Sequence, residues 1–88
     1  MSTPSGATGI KAVIEVLARV LIDRPDDVRV VETEHKGRTL VELYVAPDDV
    51  RKVIGKQGRT VAALRTLAAS AAERAGKTVT LEIREGRP

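Results

Sequence analysis

Two glycines separated by two polar residues form the part of this 88-residue chain whose residue types favour binding an anion. The segment is Gly55-Lys56-Gln57-Gly58, and Arg59 follows it. We expect a short helix to end at Gly55, because glycine tolerates positive φ, and a second helix to begin after Gly58. The free N–H groups and the positive dipole end of that second helix would face a ligand between Lys56 and Arg59. This combination favours a phosphate group, and a Cβ at either glycine would obstruct its path.

The positive charge of the chain is concentrated around the same segment. The chain has 15 Lys and Arg against 12 Asp and Glu, which gives a formal net charge of +3. Five of those cations and two of those anions lie between Asp48 and Arg65, so this stretch alone carries +3 and the remainder is neutral overall. Local positive charge beside exposed glycine backbone indicates an anionic partner, most simply a nucleic-acid backbone.

The residue inventory excludes most catalytic and metal-binding chemistry. The chain has no cysteine and 1 histidine, so it lacks a thiolate nucleophile, a disulfide framework and a histidine-rich metal site. A nucleotide-binding P-loop needs a longer spacing between its glycines and a lysine before Ser or Thr, which residues 55–60 do not provide. No apolar run approaches the roughly 18–20 residues of a membrane span, and residues 1–9 do not resemble a signal peptide. We therefore expect a cytoplasmic protein that is not an enzyme and needs neither a metal nor a cofactor.

Hydrophobic periodicity predicts one domain at residues 10–86 after a flexible tail at residues 1–9. Helical spacing of apolar residues indicates a first helix from Ile10 to about Asp23, before Pro25. Two short β-branched runs, 28–33 and 39–45, the second with apolar residues at alternate positions, then form a hairpin around the Lys36-Gly37 turn. Three further elements are predicted: a short helix ending at Gly55 and capped by Asp48-Asp49, a helix over 59–75, and a strand over 77–85.

The resulting order is helix-strand-strand-helix-helix-strand, which indicates an α+β fold. A three-stranded sheet must bury one face, and three helices are available to cover that face. Because the last strand follows a long two-helix connection, it can return parallel to a strand of the hairpin. We therefore predict a mixed three-stranded sheet with three helices on one face.

Gly-x-x-Gly between a short apolar helix and an amphipathic helix, after a hairpin and before a closing strand, resembles the KH domain. The loop of that module clamps about four nucleotides, and the element order is similar to its type II form. Three further segments resemble the KhpA family of small bacterial single-KH-domain proteins, and the similarity covers residues 10–85. They are Arg24-Pro25-Asp26-Asp27-Val28, Val45-Ala46-Pro47 and the run from Lys52 to Arg59.

The resemblance implies a binding site and a set of partners. The partners are single-stranded RNA and a second KH protein similar to KhpB, with a homodimer as a further arrangement, and the implied role is an RNA chaperone linked to cell-wall homeostasis and cell shape. Phosphate contacts would come from Lys52 and from the loop with Arg59. An aliphatic groove would hold the bases, with Val53, Ile54, Val61 and Leu64 as its floor and a sheet edge as its wall; core packing is the alternative role for these side chains.

Two features bear on how this site would bind. Tyr44 is the only aromatic residue of the chain and alternates away from the apolar residues of its strand, so it should lie on the open face of the sheet. Base stacking on an aromatic platform is therefore excluded. A KH fold that binds a protein, with weak or no RNA contact, is the alternative function, because the first helix is apolar over a wide arc that includes Val16 and Val20.

Overall fold

The structure, a computed structural model, describes residues 6–88 and the side chains of residues 9–88. Its helices are α1 (Gly6–Leu21), α2 (Val50–Ile54) and α3 (Arg59–Arg74), and its strands are β1 (Arg29–His35), β2 (Arg38–Val45) and β3 (Thr78–Glu85). The sheet order is β1-β2-β3. β1 runs antiparallel to β2, and β3 runs parallel to β2. The predicted element order and the mixed sheet are confirmed.

The helices cover the face of the sheet to which the buried side chains of the central strand, β2, point. In β2, buried positions alternate with half-buried ones from Thr39 to Val45. β3 follows the same register, since Val79, Leu81 and Ile83 lie beside the inward residues of β2. The core between sheet and helices is aliphatic, and its fully buried large side chains are Ile10, Ile14, Val28, Val41, Leu43, Val45 and Val53.

The hairpin turn has the predicted two residues. Lys36 and Gly37 both have positive φ, at 50° and 78°. Positive φ at both central residues is the pattern that matches the twist of two paired strands. The strands extend to His35 and from Arg38, so β1 is longer than predicted at its end and starts one residue later.

The first helix begins earlier than the sequence predicts. It starts at Gly6, so residues 6–9 belong to a helix and not to the flexible tail expected there. Ile10 is fully buried, and a helix fixed at that point extends by another turn at little cost because each added residue gains a hydrogen bond. Residues 1–5 of the expected tail lie outside the described residues.

Asp48 and Asp49 do not cap the second helix as expected. A 3-10 turn, Pro47–Asp49, precedes α2, and the Asp49 side chain makes no capping hydrogen bond there. Its carboxylate instead accepts the backbone N–H groups of Asp23 and Arg24, at 3.3 and 3.1 Å. Asp49 therefore ties the start of α2 to the end of the first helix.

Candidate nucleic-acid interface

The glycine segment forms a tight turn between α2 and α3. Gly55 closes α2 by donating its N–H to the Arg51 carbonyl at 2.8 Å, and Gly58 donates to the Gly55 carbonyl at 3.1 Å. Both Gln57 (φ 58°, ψ 25°) and Gly58 (φ 72°, ψ 14°) have left-handed backbone conformations. Two consecutive left-handed residues change the direction of the chain within the turn, and α3 begins at the next residue, Arg59.

The two glycines are required for different reasons. Gly55 has φ 77° and ψ 173°, a region that only glycine adopts readily, and an added Cβ would lie 2.6 Å from Cβ and 3.0 Å from N of Thr60, and closer still to its Oγ1. An added Cβ at Gly58 would meet nothing within 4 Å. The expectation that an added Cβ at either glycine would obstruct a ligand is therefore wrong for Gly55, because the Cβ there would overlap Thr60 of the protein itself.

The outer surface of the turn is open and positively charged. Lys56, Gln57 and Arg59 are exposed. No side chain among the described residues accepts a hydrogen bond from the N-terminal backbone of α3. The N–H group of Arg59 donates to the backbone carbonyl of Lys56. Within residues 6–88, neither Lys56 nor Arg59 forms an ion pair. Two cations without anionic partners beside open backbone are the arrangement that a phosphate group requires.

Lys52, the third predicted phosphate ligand, lies in a different setting. Its ammonium group pairs with the Asp23 carboxylate and lies 3.6 Å from Oδ1 of Asp49. The hydrogen bond to Asp23, with the charges of Asp23 and Asp49, raises the pKa of Lys52 above its ordinary value of 10.5. Its charge is thus matched by carboxylates of the protein itself.

The four apolar residues predicted as a groove floor separate into two groups. Val53, Val61 and Leu64 are buried, and two of them, Val53 and Leu64, belong to the hydrophobic core. Ile54 is 38% exposed, beside the first glycine. Burial therefore accounts for three of these side chains, and of the four only Ile54 offers a substantial apolar surface to a ligand.

A groove runs along the β3 edge of the sheet, between α3 and β3, and none of the four predicted floor residues lines it. It has a volume of about 330 Å³ and is lined by Arg65, Ala69, Val79, Thr80, Leu81 and Glu82. A second depression of about 520 Å³ shares Ala69 and Val79 and continues to Gly76 and Lys77. Arg65 donates from Nε to the Leu81 carbonyl at 3.3 Å. Sequence reasoning counted Arg65 in the charged stretch but missed its place in this groove, which depends on the packing of β3.

Tyr44 lies on the sheet face opposite the helices, as predicted. Its hydroxyl is 3.3 Å from Oε2 of Glu42, which also accepts from Nε of Arg84 at 3.3 Å. The aromatic ring is therefore on the other side of the sheet from the turn between α2 and α3.

A separate apolar surface, which we call the α1–α3 face, is exposed along the first and third helices. Its residues are Ala12, Val13, Val16, Leu17 and Leu67, which line a shallow depression of about 460 Å³. Val16 is 61% exposed and Leu67 is 46% exposed. Within residues 6–88, no helix is long and apolar enough to cross a membrane, and no group of three His, Cys, Asp or Glu side chains is placed to hold a metal ion.

The sequence is similar to a family of bacterial proteins along most of its length. Residues 11–83 match the family described as "KhpA/KhpB, KH domain". The "RNA-binding protein KhpA" of Halalkalibacterium halodurans is 47% identical over 74 residues, which covers 84% of this chain and 97% of that protein. The protein of the same name from Aquifex aeolicus is 44% identical over 78 residues, covering 89% of this chain and 99% of that protein.

Solved structures resemble the fold at low sequence identity. The structure of Era in complex with MgGDPNP and nucleotides 1506-1542 of 16S ribosomal RNA has a TM-score of 0.62 at 19% identity and covers 96% of this chain. This chain spans 32% of the Era chain, about a third, so the likeness concerns one part of that protein. At this identity it shows the fold alone, and with the family match it confirms the predicted type II KH arrangement.

Proposed function

Because the chain belongs to the KhpA/KhpB family of KH domains, we propose that it binds single-stranded RNA through the turn between α2 and α3. The observation that carries this proposal is the outer surface of the turn, where Lys56 and Arg59 have no anionic partner among the described residues and the space beside Gly58 is open. A phosphate can approach the backbone there more closely than it could beside any residue with a side chain. The name of the relatives, RNA-binding protein KhpA, supports the choice of RNA.

The groove between α3 and β3 supports a path for the bases beyond the turn. Phosphates at the turn would place the following nucleotides along this groove, past Ile54 and Arg65. Its walls are aliphatic and polar, and Tyr44 lies on the other sheet face, so no aromatic stacking contributes. Affinity then rests mainly on phosphate contacts, and discrimination between bases is modest.

This balance of forces predicts a clear dependence on salt. With three to four phosphates engaged, the slope of log K against log salt is expected to be about −2 to −3, since each contact on a single strand contributes about −0.7. Replacing Arg59 by alanine should reduce the slope by about 0.7 and weaken binding to all sequences alike. Titration of labelled RNA from about 50 to 200 mM salt measures both quantities.

Arg74→Ala is the matched control for this experiment. It removes the same charge from the other end of α3, which is 16 residues long and therefore about 24 Å away. It should leave the slope unchanged. A wild-type slope near zero, or a strong preference for one tetranucleotide over its scrambled version, would show that groove contacts carry recognition.

We further propose that the chain acts as an RNA chaperone in the cytoplasm, together with a second KH protein of the KhpB type or with a second copy of itself. One domain that engages about four nucleotides binds weakly, and a second domain raises affinity through effective concentration. The α1–α3 face supports this proposal, because it exposes aliphatic side chains that a partner would cover. Resemblance to the family is what supports a role in cell-wall homeostasis and cell shape.

Replacing Val16 by glutamate should abolish such pairing. Val16 belongs to the α1–α3 face and is 61% exposed, so a charge there remains solvated in the monomer but would be buried in a complex. Sedimentation of the wild-type protein at high micromolar concentration should show a dimer, or a complex once a KhpB-type protein is added. The variant should sediment as a monomer in both cases. Thr66→Glu is the control, because this exposed residue of α3 directly precedes Leu67 and therefore does not share its side of the helix.

The second candidate function is a protein-interaction module without RNA binding, and the α1–α3 face is the observation that favours it. Single-stranded RNA titration distinguishes the two functions. If RNA fails to bind at low salt while Val16→Glu disrupts a protein complex, the interaction function is correct and the turn between α2 and α3 has another use.

A further inference from the structure

A group of three charged side chains connects the end of α1 to the short helix that precedes the turn. We propose that Lys52 is a positioning residue for RNA binding, which holds α2 against the segment after α1 through Asp23 and Asp49 and does not contact phosphate itself. The proposal rests on RNA binding at the turn between α2 and α3. It goes further by assigning a different role to one of the cations around that turn.

Asp49 is the fixed point of this group. Its side chain is only 1% exposed, and its two oxygens accept the backbone N–H groups of Asp23 and Arg24. A buried carboxylate is strongly destabilising when it lacks hydrogen bonds and a nearby cation. Two backbone donors and the ammonium group of Lys52 at 3.6 Å meet that requirement.

Lys52 therefore cannot bind a phosphate without giving up its contact with Asp49. If its ammonium group moved to an RNA phosphate, Asp49 would remain buried without the cation beside it. Asp23, whose side chain is 77% exposed, holds the same ammonium group from the solvent side. Lys56 and Arg59 form no ion pair with a carboxylate within residues 6–88, so their charges remain available to RNA.

The short length of α2 explains why its position matters for the turn. α2 has five residues; Val53 is buried on its inward side, and the partly buried Val50 packs against the same core. Five residues form less than two turns, so these two side chains hold one side of the helix and do not by themselves fix the direction in which it points. Besides the backbone hydrogen bonds that Asp49 accepts, the pairing of Lys52 with Asp23 and Asp49 supplies an attachment on another side of α2, one turn before Gly55 leaves the helix.

Lys52→Gln tests this role through the affinity and the salt dependence of RNA binding together. We expect affinity to fall by about 3- to 10-fold, the size of an indirect coupling, while the slope of log K against log salt stays unchanged. Lys52→Arg keeps the positive charge and should therefore bind RNA with an affinity close to that of the wild type. Lys56→Gln is the comparison variant, and it should reduce the slope by about 0.7 because that residue contacts phosphate.

Asp23→Asn separates positioning from simple electrostatics. It removes a negative charge near the turn, so a purely electrostatic effect would tighten RNA binding, whereas loss of positioning weakens it by about two- to threefold. Lys52→Gln combined with Asp23→Asn should be no weaker than Lys52→Gln alone, because both changes break one interaction. Circular dichroism checks that each variant folds. If Lys52→Gln does not fold, the affinity of Asp23→Asn for RNA tests the positioning role by itself.

Three results would overturn the proposal. A slope reduced by about 0.7 in Lys52→Gln would show a direct phosphate contact. Unchanged affinity in Lys52→Gln would show that the pairing has no effect on the turn. Tighter binding by Asp23→Asn would show that charge alone matters. If instead no variant and no wild-type protein binds RNA, the proposed function fails, and the role of Lys52 fails with it for a distinguishable reason.

Discussion

Replacing Lys56 and Gln57 together by aspartate should weaken single-stranded RNA binding by roughly a hundredfold or more, because a charge-assisted hydrogen bond contributes about 1.5–3 kcal/mol and two carboxylates then repel the phosphates. Both side chains are exposed, so no core packing is lost. Position 57 has a left-handed backbone, which aspartate tolerates better than most residues. The fold should therefore remain intact, as measured by circular dichroism alongside the RNA titration.

The hairpin turn offers a control with the same change of charge. His35→Asp with Lys36→Asp also lowers the net charge by three, and Lys36 likewise has positive φ. This turn lies beside the start of β3, where Thr78 donates to the Gly37 carbonyl, and is therefore at the opposite end of α3 from the proposed site. Screening over about 10 Å makes its effect on affinity small. Equal losses in both variants would indicate that net charge, and not the turn between α2 and α3, determines binding.

The sequence predicts the fold well because each element carries its own local signal. The alternation of Val41, Leu43 and Val45 identifies the strand and its buried face, and Lys36-Gly37 identifies the hairpin. These signals depend on residues that are neighbours in the chain. The sequence does not predict the start of α1 at Gly6, because residues 6–9 carry no apolar periodicity and the helix there extends from a position that tertiary packing fixes at Ile10.

The site is less predictable because its important contacts join distant parts of the chain. Lys52 reads as a phosphate ligand from its neighbours, but Asp23, 29 residues earlier, determines what it contacts. Asp49 has the sequence position of a helix cap, yet its carboxylate accepts hydrogen bonds from backbone N–H groups 25 and 26 residues earlier in the chain. Arg65 lines a groove only because β3 returns beside α3. No local pattern contains these pairings, and only the packed structure shows them.

Gly55→Ala should destabilise the domain by about 2–6 kcal/mol, the sum of a backbone conformation that alanine adopts only under strain and a steric overlap in a packed region. The overlap is with Thr60, in the first turn of α3, so α2 and α3 would have to separate at the turn. Domains of this kind are stable by about 5–15 kcal/mol, which makes the loss a large fraction of the total. Urea unfolding followed by circular dichroism measures it.

Gly58→Ala is the matched variant, and it should give the opposite pattern. Its added Cβ meets nothing within 4 Å, so the stability loss is limited to the left-handed conformation of an alanine, about 1–2 kcal/mol. The same Cβ projects into the open space beside the turn, where the proposed phosphate approaches, so RNA binding should fall although the protein stays folded. Gly55→Ala, where it remains folded at low temperature, should retain binding better than Gly58→Ala. A Gly55→Ala protein as stable as the wild type would show that the turn relaxes around Thr60, and undiminished RNA binding by folded Gly58→Ala would place the phosphates elsewhere.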